Sequence, residues 1–254
     1  ERHRRLGADP DPAELGCLAR GPLAGLWDRT GRPLRARVGV GTVPARQPVA
    51  GRSEPAAVAE VPVVLDLPPG AATGIVGPRP EALRLARWLV GQLALRYSPA
   101  DLVIVASAAP GHRAWSWVHD LPHALGGDPG RCRGRRALVI LDEGHVAPAD
   151  GEDVHVLAVA EDESGLPSAC TQVIDVSRAA SVRTPAWRVA DLSPDGVPAA
   201  WAIQVARRLG PLRDAADPSS DVAGVPSRVT LLDELELPPA LVVVASISTA
   251  AWAA

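Results

Sequence analysis

Ala137-Leu138-Val139-Ile140-Leu141-Asp142-Glu143 is a run of five apolar residues closed by two carboxylates. An unbroken apolar run of that length reads as a strand buried on both faces, as in a parallel sheet covered by other elements. Two more such runs flank it. Asp101 to Ala106 (DLVIVA) precedes it and Val154 to Ala160 (VHVLAVA) follows. Upstream, Thr73 to Val76 is a shorter apolar run that ends in Gly77 and passes into a helix signal. Pro80 suits a first helical position, where its missing N–H has no partner to lose. Glu81 complements the helix dipole. Leu83, Ala86, Leu89, Val90 and Leu93 recur at helical spacing until Ser98-Pro99 stops the pattern. Val173 to Val176 reads as another strand, and Pro194 to Leu209 as a final helix with Ala199, Ile203, Ala206 and Leu209 on one face. Strands alternating with helices predict an α/β domain with a mainly parallel sheet and helices on both faces.

Farther out the signals weaken. Residues 1–60 are rich in Arg, Gly and Pro and read as an irregular N-terminal arm, anchored by Leu26-Trp27, with Val38-Gly39-Val40-Gly41 as a short strand. Val61 to Leu67 opens the domain proper, which runs over 61–237. Residues 238–254 read as a linker toward a following domain; the apolar stretch Ala240 to Ala254 is too short to span a bilayer. The chain starts without Met in a basic run (Arg2, His3, Arg4, Arg5) and reads as a piece of a longer protein.

Composition limits the chemistry. The chain holds no Lys, so all 26 basic residues are Arg. A net charge of −3 argues against nucleic acid as a partner of the whole domain. Cys17, Cys132 and Cys170 are too far apart and too few for a disulfide framework or a metal knuckle, which makes a reducing compartment the default. His119 and His123 are four apart, but Pro122 between them opposes a shared helical face, so no metal site is assigned.

Strand, Gly77, helix, strand, apolar run with Asp142-Glu143, and adjacent strand fall in the order of a P-loop motor domain. In that order Asp142 and Glu143 stand as Walker B residues, an Asp that holds Mg²⁺ through water and a Glu that polarises the attacking water. Their other readings are the solvated end of a strand, or a salt-bridge pair for a neighbouring domain's Arg. Several segments together resemble the EccC branch of the FtsK/SpoIIIE ATPases. These are Leu102 to Ala106, Trp115-Ser116-Trp117 with Leu121-Pro122-His123, Leu138 to Asp142, and Val154 to Ala158 followed by Glu161-Asp162-Glu163-Ser164. Leu26-Trp27-Asp28-Arg29 and Val38 to Gly41 are similar to the same family's segment after its transmembrane helices. The resemblance implies a RecA-like sheet and a membrane-anchored parent chain, with this piece at the cytoplasmic face of the plasma membrane. It also implies neighbouring ATPase domains and other secretion-machinery subunits as partners, and a role in exporting helical-hairpin proteins.

The sequence departs from an active motor of that kind. A phosphate loop needs G-x-x-x-x-G-K-[ST], whose N–H groups cradle the phosphates. Here Gly77-Pro78-Arg79-Pro80 leads straight into the helix, with no Lys and no Ser or Thr for the metal. Pro78 and Pro80 remove two donors, and Arg79 is a rigid fork, not a point charge. Glu161-Asp162 follows Val154 to Ala160, the adjacent strand where such motors place a polar sensor, and negative charge there repels a γ-phosphate. The expectation is a degenerate, non-hydrolysing domain with no catalytic residue, no cofactor and no metal, which acts by docking. Arg131, Arg133, Arg135 and Arg136 are the docking candidates. Trp115 and Trp117 read as packing residues under a loop. The alternative is an active ATPase that binds Mg-ATP through Arg79, Asp142 and Glu143. A second alternative, a DNA-translocase accessory domain, has the Arg cluster as its support.

Overall fold

The computed structural model describes residues 9–20, 25–29, 31–44, 57–108, 113–124, 135–142 and 153–212. They lie in one compact unit, Glu1–Ser219. Glu143, Arg131, Arg133, Cys132 and the linker expected over 238–254 lie outside the described residues, as does the 213–237 end of the expected domain. In chain order the elements are α1 (Pro12–Arg20), β1 (Arg35–Pro44), β2 (Ala57–Asp66), β3 (Ala72–Val76), α2 (Arg79–Arg96) and β4 (Leu102–Ala108). A 3-10 helix over Arg113–Asp120 follows, then β5 (Arg136–Asp142), β6 (Val154–Ala160), β7 (Cys170–Asp175), β8 (Ser181–Arg183), β9 (Arg188–Val189), β10 (Ser193–Pro194) and α3 (Ala199–Leu209).

The three long apolar runs become β4, β5 and β6, side by side and parallel. The larger sheet has the order β4-β5-β6-β3-β7-β8-β9. Its first five strands are parallel, and β8 and β9 close the edge antiparallel. From β3 the chain leaves through α2 to the far edge at β4, returns through β5 and β6, then crosses to β7 on the other side. Connections that diverge in this way open a crevice outside the carboxyl ends of the strands, the usual ligand position in open α/β sheets.

One sheet face carries the larger core, in which Ile75, Ile104, Leu138, Ile140, Leu157 and Ile174 meet side chains of all three described helices. On the other face Ala72, Val139, Leu141, Val156 and Ala158 form a smaller cluster with Leu166 against it, and no described helix belongs to that cluster. The helix expected from Pro194 begins five residues later, at Ala199. Ser193–Pro194 pairs instead with β1, and the N–H groups of Asp195 and Val197 go to the carbonyls of Val38 and Arg84. Pro198, not Pro194, is the cap of the helix.

The segment expected to be an irregular arm is more ordered than its Gly and Pro content suggests. α1 starts with a capping box, in which Asp11 Oδ1 accepts from the Glu14 N–H at 2.9 Å and Glu14 Oε2 from the Asp11 N–H at 2.9 Å. β1 pairs with β2 and β10 in a separate three-stranded antiparallel sheet, and β2 runs through the boundary expected at residue 60. At the bulge around Val38, Gln92 of α2 stands in for a strand partner. Its Oε1 accepts from the Arg37 N–H at 2.9 Å, and its Nε2 donates to the Arg37 carbonyl at 2.8 Å, joined there by Trp88 Nε1 at 2.8 Å.

Trp27 is half-buried, as an anchor should be, and closes the other end of α2. Its N–H donates to the Leu95 carbonyl at 3.0 Å, its Nε1 to the Ala94 carbonyl at 3.2 Å, and the Arg29 N–H to the Arg96 carbonyl at 2.9 Å. These are last-turn carbonyls that the helix itself leaves unpaired. The indole also meets the edge of His123, centroids 6.4 Å apart. His123 is buried, and its Nε2 hydrogen-bonds the Tyr97 carbonyl at 2.8 Å. Burial pushes the imidazole down to about 4 from its ordinary 6.5, against that hydrogen bond, which works the other way.

Two outcomes follow from this packing. Gly91 faces Trp201 so closely that an added Cβ lies 2.4 Å from Cζ3 of the ring. Gly91→Ala gains about 1 kcal/mol of helix propensity but overpacks a core contact at about 1–3 kcal/mol. Thermal melts should show a lower Tm for Gly91→Ala, and a higher one when the same change is made in a Trp201→Ala background. The second outcome concerns pH. The unfolded chain takes up the His123 proton near 6.5, and the folded chain only near 4. Stability is therefore complete above the unfolded value and falls between those two pH values, by about 3 kcal/mol from this group. Urea melts across that range should show the loss, and His123→Gln should reduce it.

Candidate functional site

The site grows from the carboxyl end of the parallel sheet. β3 ends at Val76, and Gly77 makes the turn into α2 with φ at 126°, a backbone that a side chain resists. Five of the six positions from Gly77 to Ala82 have their N–H spent or missing. The Gly77 N–H donates to the Glu161 carbonyl at 3.1 Å. The Glu81 and Ala82 N–H groups both donate to the Pro78 carbonyl, at 3.1 and 3.0 Å. Pro78 and Pro80 have no N–H. Pro78 caps the helix with no side-chain hydrogen bond.

Arg79, the first residue of α2, turns inward. Its Nη1 donates to Asp142 Oδ1 at 2.9 Å and its Nη2 to Asp142 Oδ2 at 3.0 Å. This is the parallel two-bond geometry in which a guanidinium binds a carboxylate most strongly. Asp142 is fully buried at the end of β5, whereas the Arg79 side chain keeps 28% of its exposure. Trp115 supplies a third bond, from Nε1 to Asp142 Oδ2 at 2.8 Å. That indole is held by the 3-10 helix, where Trp115 and Trp117 are both buried. The reading of these two as packing residues holds for their rings; the hydrogen bond from Trp115 to Asp142 has no trace in the sequence pattern. Asp142 is thus neither a solvated strand end nor a group turned toward another domain.

The remaining candidates separate. The Glu161 carbonyl closes the Gly77 turn, and its side chain is exposed. Asp162 caps the short turn Glu163–Gly165 by accepting from the Ser164 N–H at 2.9 Å. Its bonds from the Ser164 hydroxyl and N–H hold its carboxyl below the usual range. Of the Arg cluster, Arg135 Nη1 donates to the Pro99 carbonyl at 3.2 Å. Arg136 pairs with Asp101 at 3.4 Å and lies over the Tyr97 ring at 5.5 Å. Both are tied to their own domain. His119 is exposed and His123 buried, and no group of three metal-ligating side chains occurs among the described residues.

One pairing was outside the reach of sequence reasoning altogether. His155, the second residue of β6, hydrogen-bonds the Pro68 carbonyl through Nδ1 at 2.8 Å and Thr73 Oγ1 through Nε2 at 3.0 Å. Burial lowers its pKa. It fixes the start of β6 beside β3 and takes no part in the crevice at the other end.

No protein-family model matches the chain. Over 140 residues it is 33% identical to the ESX-4 secretion system protein EccC4 of Mycobacterium tuberculosis, a stretch that covers 45% of this chain and 11% of that protein. Over that stretch the chain is thus similar to an EccC protein of type VII secretion. Among solved structures, the cytoplasmic domain of the Thermomonospora curvata Type VII Secretion ATPase EccC matches with a TM-score of 0.55 at 15% identity, over 91% of this chain and 37% of that one. ATPases 2 and 3 of EssC from Geobacillus thermodenitrificans match with a TM-score of 0.45 at 12% identity, over 74% of this chain and 51% of that one. The Thermomonospora likeness is one of fold, the mostly parallel sheet with helices. The chain therefore spans a small part of its EccC relative, and no described helix is long and apolar enough to cross a membrane.

Removing one member of the buried pair strands the other. Arg79→Ala leaves the Asp142 carboxylate buried with only part of its hydrogen bonding. The loss should sit near the lower end of the about 3–5 kcal/mol typical of broken buried pairs, because solvent already reaches the guanidinium side. Chemical denaturation of Arg79→Ala, Asp142→Asn and the double variant should give strongly non-additive losses. Additive losses would mean that the two residues act separately.

Proposed function

We propose that this chain is a non-hydrolysing, ATPase-like module of a type VII secretion motor, working through contacts with neighbouring domains instead of nucleotide turnover. One observation carries the reading: the Walker B aspartate, Asp142, is already occupied by Arg79 from the phosphate-loop position. In a working site that carboxylate holds a metal which bridges the phosphates. Here a guanidinium satisfies both of its oxygens, and a metal would have to displace it.

The phosphate side of the crevice supports the same reading. Binding at a helix N-terminus relies on several N–H groups aimed at the anion. Across Gly77 to Ala82 two donors are absent and three point at carbonyls of the chain itself. Each charge-assisted bond lost is worth about 1.5–3 kcal/mol, so three lost contacts weaken binding by about three to six powers of ten. The similarity to EccC supports the setting. The module sits in a longer, membrane-anchored chain at the cytoplasmic face, next to other ATPase domains and secretion subunits, and meets helical-hairpin substrates indirectly. Docking through the Arg cluster falls to Arg131 and Arg133, since Arg135 and Arg136 serve their own domain.

The test is nucleotide binding by the whole chain. Millimolar Mg-ATP should leave Tm unchanged, where a ligand at a hundred times its Kd adds about 2.7 kcal/mol of stability. Saturable stabilisation by Mg-ATP, or hydrolysis that Glu143→Gln abolishes, would overturn the reading in favour of an active ATPase.

A further inference from the structure

A cavity of about 170 Å³ lies at the amino end of the parallel strands, opposite the crevice at Asp142. Arg136 opens β5 and Asp153 precedes β6 there. The walls come from the smaller sheet. Pro33 and Leu34 lead into β1, and Leu67, Pro68 and Pro69 join β2 to β3. Leu34 and Leu67 are buried, and the three prolines are exposed.

This lining offers little to a polar guest. The prolines have no N–H, and the Leu67 N–H donates to the Leu34 carbonyl at 2.9 Å. The Pro33 carbonyl accepts from the Tyr97 hydroxyl at 2.7 Å, that of Asp66 from Gln172 Nε2 at 2.8 Å, and that of Pro68 from His155 Nδ1 at 2.8 Å. The Asp153 carbonyl accepts from the Ala137 N–H at 2.9 Å. An apolar cavity of about 150 Å³ holds one benzene-sized ring, whereas sites for drug-sized ligands and cofactors start near about 300 Å³. The space fits one large apolar side chain and is too small for a nucleotide.

The rim is negative. Arg136 pairs with Asp101 at 3.4 Å, and Asp66 with Arg35 at 2.8 Å. His155 adds no charge at neutral pH, because burial lowers its pKa from 6.5. Asp153 is exposed, and its carboxylate has no hydrogen bond or ion pair among the described residues. One unmatched carboxylate thus stands beside an apolar hole. In protein interfaces a buried apolar anchor supplies most of the affinity, and charges at the rim select and steer the partner.

We propose that this pocket receives one leucine- or phenylalanine-sized side chain from a basic segment of a partner protein. The apolar side chain fills the space between Leu34 and Leu67, and a flanking Arg or Lys of the partner meets Asp153. The surface is separate from the crevice, and the inference stands whether or not the chain hydrolyses nucleotide.

Methyl NMR of the whole leucine-labelled chain tests this, with Leu34→Met and Leu67→Met assigning the two lining signals. The probes are the capped tripeptides Arg-Leu-Arg, Arg-Phe-Arg, Arg-Ser-Arg and Glu-Leu-Glu. At least one of the first two should shift both leucine signals saturably and bind about tenfold or more tighter than the serine peptide, as burial of a large apolar side chain requires. The glutamate peptide should bind more weakly than Arg-Leu-Arg. Asp153→Asn should weaken binding of the arginine peptides about two- to fivefold, the range of an exposed ion pair. Asp153→Arg should reverse the order, so that Glu-Leu-Glu binds better than Arg-Leu-Arg. The proposal fails if neither arginine peptide with an apolar centre shifts the two signals. It fails equally if the serine or glutamate peptide matches them on the parent chain, or if Asp153→Arg keeps the parent's order of preference.

Discussion

The Arg79–Asp142 pair fixes where α2 begins relative to the sheet. α2 follows directly from β3, yet its first side chain is anchored on β5, with β6 between them. Two strand spacings are about 10 Å, a reach that calls for one of the longest side chains. A Lys of similar length would offer one point charge where the carboxylate receives two parallel bonds. The pair also resolves a local conflict. A cation in the first turn opposes the helix dipole, and the Asp142 charge offsets it. The carboxylate thus stands near the helix N-terminus, where a bound anion would otherwise sit.

The turn before α2 then has no reason to remain open. With negative charge supplied from β5, the N–H groups of Gly77, Glu81 and Ala82 settle on carbonyls of their own chain. Pro78 and Pro80 become harmless, because they occupy positions whose N–H would have gone unused. The features that read as defects of a phosphate loop are consistent parts of a closed turn. That consistency across levels is what a stable native structure requires.

What the sequence displays and what it conceals follow from the range of each interaction. β4, β5 and β6 are legible because each is a continuous apolar run, and α2 because its apolar residues recur at helical spacing. β1 and β2 are harder to see. Bulges interrupt their register, and Gln92 and Trp88, more than fifty residues away, complete the hydrogen bonding. Pro194 imitates a helix start, and only the pairing with Gly39 shows that it belongs to a strand. At the site, Asp142 and Arg79 each stand out locally, one at the end of an apolar run and the other in a shortened loop. Their contact depends on strand order, which no local pattern carries, and the Trp115 bond depends on a 3-10 helix with no periodic signal.

α2 is held at both ends by groups it does not contain. At its start Arg79 reaches β5. At its end the N–H groups of Trp27 and Arg29 and the Trp27 indole take the carbonyls of Ala94, Leu95 and Arg96. Between those ends lie 18 residues, about 27 Å of helix, packed on the sheet, on β1 and on α3. A helix buried on so many sides deforms little along its axis, since its interior contacts are close-packed. The N-terminal segment and the crevice at Asp142 are therefore opposite ends of one rod. In the proposed setting, where that segment leads to the membrane, a shift of Trp27 against the last turn of α2 can be absorbed only by sliding the whole helix. Such sliding must break the two parallel bonds to Asp142 or carry β5 along with it. The Arg79–Asp142 pair is in this sense a fixed joint between the N-terminal segment and the central sheet, made by side chains of the chain itself.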